Sequence, residues 1–244
     1  MYSLHHAAAT GDAMKVREII SAGVDPNLVK YVPIHDGIFH INVTPLFLAC
    51  KHNQLDVVEF LLENGAHPGL ARFDIDTSPL LIACEKGYLD AALKLICAGA
   101  DVNQYRIRDK TYPLMVAAEN GHCEVVEMLL HHGAMVNVIT SSNMTTPLYI
   151  AAQNGHADIV YCLLLADTKC DTFCTPTGAT ALFTACHEGH LNVVKRLVNA
   201  GASITLGRLS DGMTPIEVAN LTHHHNIVKY LENAQEKRFS SPTQ

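Results

Sequence analysis

TPLYIAAQNGHADIVYCLLL, residues 146–165, reads as two short helices hinged at one glycine. Thr146 offers a hydroxyl to cap a helix, and Pro147 fits its first turn, where no N–H is needed. Leu148, Ile150, Ala151 and Ala152 follow as an apolar face kept thin by alanine, so a neighbouring helix can come close. Gly155 supplies the left-handed residue that ends this helix. Ile159, Val160, Leu163 and Leu164 then fall at i, i+1, i+4 and i+5, one broad face of a second helix. The same stretch sets His156 two residues before Asp158, a pair that in an enzyme would be a base and its orienting carboxylate.

The cadence is copied along the chain. TPLFLAC starts at Thr44, SPLLIAC at Ser78, YPLMVAA at Tyr112, TALFTAC at Thr180 and TPIEVAN at Thr214. Their second residues are Pro45, Pro79, Pro113, Pro147, Ala181 and Pro215, each 34 residues from the last. A corner position keeps the same step through Asn53, Gly87, Gly121, Gly155, Gly189 and His223. So does a second, through Gly65, Gly99, Gly133, Asp167 and Gly201. A weaker first copy around Ser3 has Gly11 and Gly23 in these slots and lies 42 residues before the next. Three anchors holding one period define seven units, starting near 2, 44, 78, 112, 146, 180 and 214. A two-helix unit of this size cannot bury its apolar faces alone, and stacking neighbours does so. The expectation is an all-α repeat solenoid over 2–235, curved, with more polar ends and a disordered tail at 236–244.

Composition agrees. Hydrophobic residues make up 48% of the 244, enough for a packed core. Lys and Arg total 17 against 24 Asp and Glu, a net charge of -7 with no basic run, which disfavours a nucleic-acid partner. Eight cysteines in so long a chain do not suggest a disulfide framework, and Cys50, Cys84, Cys97 and Cys162 lie in apolar helical patterns as small hydrophobes. The first residues lack a basic leader and cleavage site, and no apolar run approaches the roughly 20 residues that span a bilayer. A reducing cytoplasmic or nuclear location, without membrane insertion, is expected.

The stretches TPLYIAAQNGHADIVYCLLL and YPLMVAAENGHCEVVEMLLHHGAMVN resemble the ankyrin repeat, whose signature is Thr-Pro-Leu-His-x-Ala-Ala, Gly-His, a Val-Val/Leu-Leu helix and Gly-Ala-Asp-Val-Asn. The resemblance covers nearly the whole chain. It implies two antiparallel helices per unit followed by a projecting β-hairpin finger. Inner helices and fingers would form a concave face that usually binds another protein. It also makes Asn103, in LICAGADVN, a candidate for asparaginyl hydroxylation. Departures are visible: a step of 34 where the family has 33, and a connection before Thr44 longer by eight residues. The family's His after Leu is replaced by Phe47, Leu81, Met115, Tyr149 and Phe183. Asp167 replaces a glycine ahead of an unusual finger, TKCDTFCTPTGA.

His156 is matched by His122 and His190, each directly after a glycine, and Asp158 by Asp56, Asp90, Glu124 and Asn192. A feature copied along a scaffold is explained by shared geometry, so the pair is read as a joint that ties its turn together. HEGH at 187–190 lacks the H-E-x-x-H spacing of a zinc enzyme. Cys170 and Cys174, with His187, are a candidate metal group lacking a full ligand set, and Cys186 beside His187 occupies a core position shared with Cys50 and Cys84. No catalytic residue, metal or cofactor is assigned.

Recognition of a protein or peptide is the expected function, in a monomer acting as adaptor or scaffold. The residues just before each corner (Lys51 and His52, Glu85 and Lys86, Glu119 and Asn120, Gln153 and Asn154, His187 and Glu188) are expected on the concavity. The substituted row adds Met115 and Tyr149; the fingers add Phe73, Ile75, Tyr105, Arg106, Ile107, Arg108, Ile139 and Met144. Aromatic and arginine anchors commonly dominate interfaces, and Glu85, Glu119 and Arg108 are expected to select charge. A bacterial effector using this surface on host proteins, a passive spacer, and a small metal or enzymatic site in the 170–174 finger are the alternatives.

Overall fold

A computed structural model describes residues 3–33, 40–71 and 76–240. It contains fourteen helices among the described residues, in seven pairs: α1 (Leu4–Thr10) with α2 (Ala13–Ser21), α3 (Pro45–Lys51) with α4 (Leu55–Glu63), α5 (Pro79–Lys86) with α6 (Leu89–Cys97), and α7 (Pro113–Glu119) with α8 (Cys123–His131). Then come α9 (Pro147–Gln153) with α10 (Ala157–Leu165), α11 (Ala181–Glu188) with α12 (Leu191–Asn199), and α13 (Pro215–Leu221) with α14 (His225–Ser240). The chain divides into two compact units, Met1–Ala134 and Met135–Gln244. In each, first helices pack on first helices and second on second, giving two layers: α1, α3, α5, α7 beside α2, α4, α6, α8, and α9, α11, α13 beside α10, α12, α14.

Local chemistry starts each pair. The side chains of Ser3, Thr44, Ser78, Thr146, Thr180 and Thr214 each accept a backbone N–H from the first turn that follows. Tyr112, at the same position, makes no such cap. The inner helices are seven or eight residues long in α1, α3, α5, α7, α9, α11 and α13, too short to be stable alone. Packing holds them. Ala49, Ala83, Ala117, Ala151, Ala185 and Ala219 have no exposed surface, so adjacent inner helices meet over a methyl group. On the second helices Leu61, Leu95, Leu129, Leu163 and Leu197 are equally sealed, and each such burial contributes about 1.5–3 kcal/mol.

The corners fold as their residues require. Gly11, Gly87, Gly121, Gly155 and Gly189 are left-handed, and Asn53 (φ 54°) and His223 (φ 62°) adopt the same conformation. Gly23, Gly65, Gly99, Gly133 and Gly201 share it with Asp167 (φ 60°) at the second slot. A third left-handed position lies three residues before Pro79, Pro113, Pro147, Ala181 and Pro215 and has no counterpart before Pro45. It is filled by Asp76, Lys110, Met144, Gly178 and Gly212. Two of its five occupants are glycine, so no glycine rhythm betrays it.

The histidines do more than brace their own turns. His122 Nε2 donates to the Glu85 carbonyl at 3.0 Å, His190 Nε2 to that of Gln153 at 3.0 Å, and His224 Nε2 to that of His187 at 3.0 Å. Each reaches back to the end of the previous inner helix, satisfying a carbonyl that the helix terminus leaves open. The expected tie is therefore between repeats. Asparagine does the same beyond the second helix: Asn27 Nδ2 donates to Gly65 O at 2.9 Å, Asn103 Nδ2 to Gly133 O at 3.2 Å, and Asn137 Oδ1 accepts Lys169 N–H at 3.0 Å.

The fingers and the C-terminal end carry detail beyond the repeat pattern. Among the described residues the only paired strands are β1 (Lys30–Pro33) and β2 (His40–Val43), antiparallel, in the long connection. Among the described residues the later fingers show isolated bridges, Arg106 to Thr111 and Cys174 to Ala179, with a left-handed residue closing each loop. Helix α14 also continues to Ser240, so residues 236–240, expected in the tail, are helical.

The histidine tie gives a direct test. A Cβ at Gly87 would stand 2.5 Å from His122 Nδ1, while one at Gly99 would meet nothing within 4 Å. Both sites are left-handed, so alanine costs each about 1–2 kcal/mol. Gly87→Ala should lose roughly 1 kcal/mol more, the worth of the displaced hydrogen bond. Urea unfolding of the two variants measures the difference; equal losses would show that the imidazole is not held.

Candidate partner-binding surface

The ends of the inner helices lie in water, as expected. In the first unit Lys51, His52, Lys86, Glu119 and Asn120 are exposed and Glu85 is partly so; in the second, Gln153, Asn154, His187 and Glu188 are exposed. Their chemistry is not equally available. Asn120 Nδ2 donates to Val116 O at 2.8 Å and Asn154 Nδ2 to Ile150 O at 3.1 Å, so both side chains close their own helices. Lys86 lies 3.5 Å from Glu85, and His187 Nδ1 lies 2.9 Å from Glu188. These are solvated pairs of small worth that a ligand can exchange.

The substituted row is core. Met115 is 1% exposed and Tyr149 6%, with Phe47, Leu81 and Phe183 as deeply placed. Stacking has sealed the position that the sequence offered as groove lining, which corrects the assignment of Met115 and Tyr149 to partner contact. Burial pushes the Tyr149 hydroxyl up, against a hydrogen bond with Thr184 that pulls it down.

The finger between α6 and α7 is the best-built surface of the first unit. Arg106 Nε lies 3.0 Å from both carboxylate oxygens of Asp109, and its Nη2 reaches Thr111 Oγ1 at 3.2 Å. Asp109 Oδ1 in turn accepts Thr111 N–H at 3.1 Å. Arg106 is thus a clasp within the loop, which removes it from the expected contact residues. Asp76 of the preceding finger accepts Ile107 N–H. Held from both sides, the loop presents Ile107, 74% exposed, and Arg108, exposed, beside Tyr105, whose ring centroid lies 5.0 Å from that of Tyr112. Phe73 and Ile75 lie outside the described residues.

The second unit repeats the clasp. Arg208 Nε donates to Asp211 Oδ1 at 3.1 Å, and the guanidinium lies 4.8 Å over the Phe183 ring. Met144 is 52% exposed at its left-handed position, and its carbonyl accepts Thr175 N–H at 3.4 Å. Ile139 and Leu209 also leave apolar surface in water. The R-x-x-D spacing, shared by 106–109 and 208–211, was the sequence signal for the clasp.

All eight cysteines are free thiols. Burial pushes the Cys186 thiol up to about 12 and those of Cys50 and Cys84 higher still, the opposite of an activated nucleophile. Cys174 is fully buried, 3.6 Å from Thr146 Oγ1, and among the described residues Cys170, Cys174 and His187 do not gather their ligand atoms at one point. Asp158 is exposed and lies 3.8 Å from Arg196 of the next second helix. Asn103 spends its amide on the Gly133 carbonyl. Cys97, expected to pack as a hydrophobe, is exposed. No described helix is long and apolar enough to cross a membrane.

A family model described as ankyrin repeats (3 copies) matches residues 4–106, 80–173 and 148–239. Among solved structures, the crystal structure of the human ASB11 ankyrin repeat domain is similar at a TM-score of 0.79 and 25% identity, with 100% of each chain covered. No curated protein sequence matches.

The clasp has a pH signature. Burial opposes ionisation of Asp109, yet hydrogen bonds from Arg106 and Thr111 win and hold its carboxyl below the usual carboxylate range. A lowered folded-state pKa stabilises fully above the unfolded value of about 4 and is lost as pH falls through the folded one. Asp109→Asn should therefore flatten the acid limb of stability below about pH 4, read by thermal melts. An unchanged limb would show that the pair contributes nothing.

Proposed function

The chain belongs to the ankyrin-repeat family, whose repeats are in general non-enzymatic protein–protein interaction modules, and from that premise we propose that it is an adaptor or scaffold. In the first unit the partner segment rests on the finger residues Tyr105, Ile107 and Arg108 and on the inner-helix ends at Glu85, Lys86 and Glu119. In the second unit Met144 and Gln153 are the corresponding contacts. The partner is a protein or peptide in the cytoplasm or nucleus, and the chain acts as a monomer.

The observation that carries this reading is the exposure of Ile107 on a loop braced by the Arg106–Asp109 pair and by Asp76. A bulky aliphatic residue held out in water by a rigid loop loses little freedom on binding and gains the burial of its side chain. Arg108, charged beside it, supplies directional hydrogen bonding to a carboxylate or carbonyl. Ile107 ties into the preceding finger only through its backbone N–H, and neither side chain is buried in the stack.

The experiment is affinity capture from cells with the full chain and with the variant Ile107→Ser/Arg108→Ser, read by quantitative mass spectrometry. A discrete partner should fall by about tenfold or more in the variant, the range of a lost anchor residue. The melting temperature should not move, because both side chains are outside the core. Capture that survives the double substitution would remove this surface from the function.

A further inference from the structure

The outer layer of the first unit breaks the pattern of its own repeat. The position of Leu93 in α6 recurs as Glu59, Glu127, Tyr161, Lys195 and Lys229, all of them exposed. Four of these five are charged, and the fifth, Tyr161, has the Arg196 guanidinium 4.4 Å above its ring. Leu93 is 38% exposed. It lines a groove between α4 and α6 together with Leu62, Ala98 and the exposed thiol of Cys97. At the Cys97 position the neighbouring repeats carry Glu63 and His131. The groove is thus an apolar notch at a place where the fold itself accepts charge.

Its rim is acidic. Glu59 and Glu63 border it, and Lys94 pairs with Glu59 at 3.0 Å. Across α4, α6 and α8 the carboxylates are Asp56, Glu59, Glu63, Asp90, Glu124 and Glu127, against Lys94 and, from α2, Arg17, which lies beside Asp56, Glu59 and Glu63. A field of that sign attracts cationic partners and repels phosphate polymers and anionic membrane surfaces. We infer that the α4–α6 groove is a second docking site, which takes a protein segment carrying a bulky aliphatic residue flanked by lysine or arginine. The aliphatic side chain enters over Leu62 and Leu93, and the basic flanks meet Glu59 and Glu63. This site is separate from the finger surface, so one unit can hold two proteins at once.

Cys97 reports on occupancy directly. The full chain is titrated with a synthetic peptide in which lysine pairs alternate with leucine pairs, followed by fluorescence anisotropy, and alkylation of Cys97 is mapped by mass spectrometry. The peptide should slow alkylation of Cys97 several-fold. Leu93→Lys, a change of the kind found at Lys195, should weaken binding by about tenfold while the melting temperature holds. Glu63→Lys should weaken it less and make it less sensitive to salt. The variant Ile107→Ser/Arg108→Ser should bind the peptide undiminished, so a failure of the finger surface would leave this result standing. Unprotected Cys97, equal affinity in Leu93→Lys, or equal affinity for the peptide with glutamate in place of lysine would overturn the proposal.

Discussion

The structure depends on the open carbonyls at the end of each short inner helix. A helix of seven or eight residues exposes half of its backbone acceptors at its C-terminus, and stacking buries them beside the next repeat. The left-handed corner turns the chain out of the way, and the imidazole that follows donates to the carbonyl of the repeat before. Gly87 with His122, and Gly189 with His224, are two copies of this joint; the absence of a side chain at the glycine is what lets the ring lie against the backbone. The catalytic look of a histidine next to a carboxylate is a by-product of that stitching.

Much of this was legible in the sequence because the period is rigid. Proline, glycine and paired aliphatic residues recur every 34 positions, and each has one physical job. Helix starts, corners and the buried second-helix face follow from them, and Asn53, Asp167 and His223 take the left-handed conformation that their slots demand. What escaped notice was whatever depends on the neighbour rather than on the unit. Met115 and Tyr149 look amphipathic in one repeat and are buried in the stack. Arg106 looks like an anchor until Asp109, three residues on, is seen to hold it. The left-handed residues Lys110 and Met144 have no compositional mark at all.

The same distinction sorts architecture from recognition. Asn120 and Asn154 sit where a binding residue is expected, yet their amides close the helices that carry them. Ile107, Arg108, Leu93 and Cys97 have no such task. Arg108, Leu93 and Cys97 stand where other repeats carry a different type of residue, Ile107 shares its apolar character with Leu209, and each leaves its side chain in water. The bond between recognition and fold is therefore indirect: repeated polar groups stiffen loops and helix ends, and the residues that depart from the repeat use that stiffness.

A mutational scan of the full chain with two readouts, abundance in the cell and capture of a partner, examines this division most directly. The account predicts that substitutions at Gly87, His122, Gly189 and His190 lower abundance, with capture falling only in proportion. Substitutions at Ile107, Arg108, Lys86 and Glu119 should lower capture at full abundance. Repeated histidines that abolish capture while abundance stays intact would contradict it.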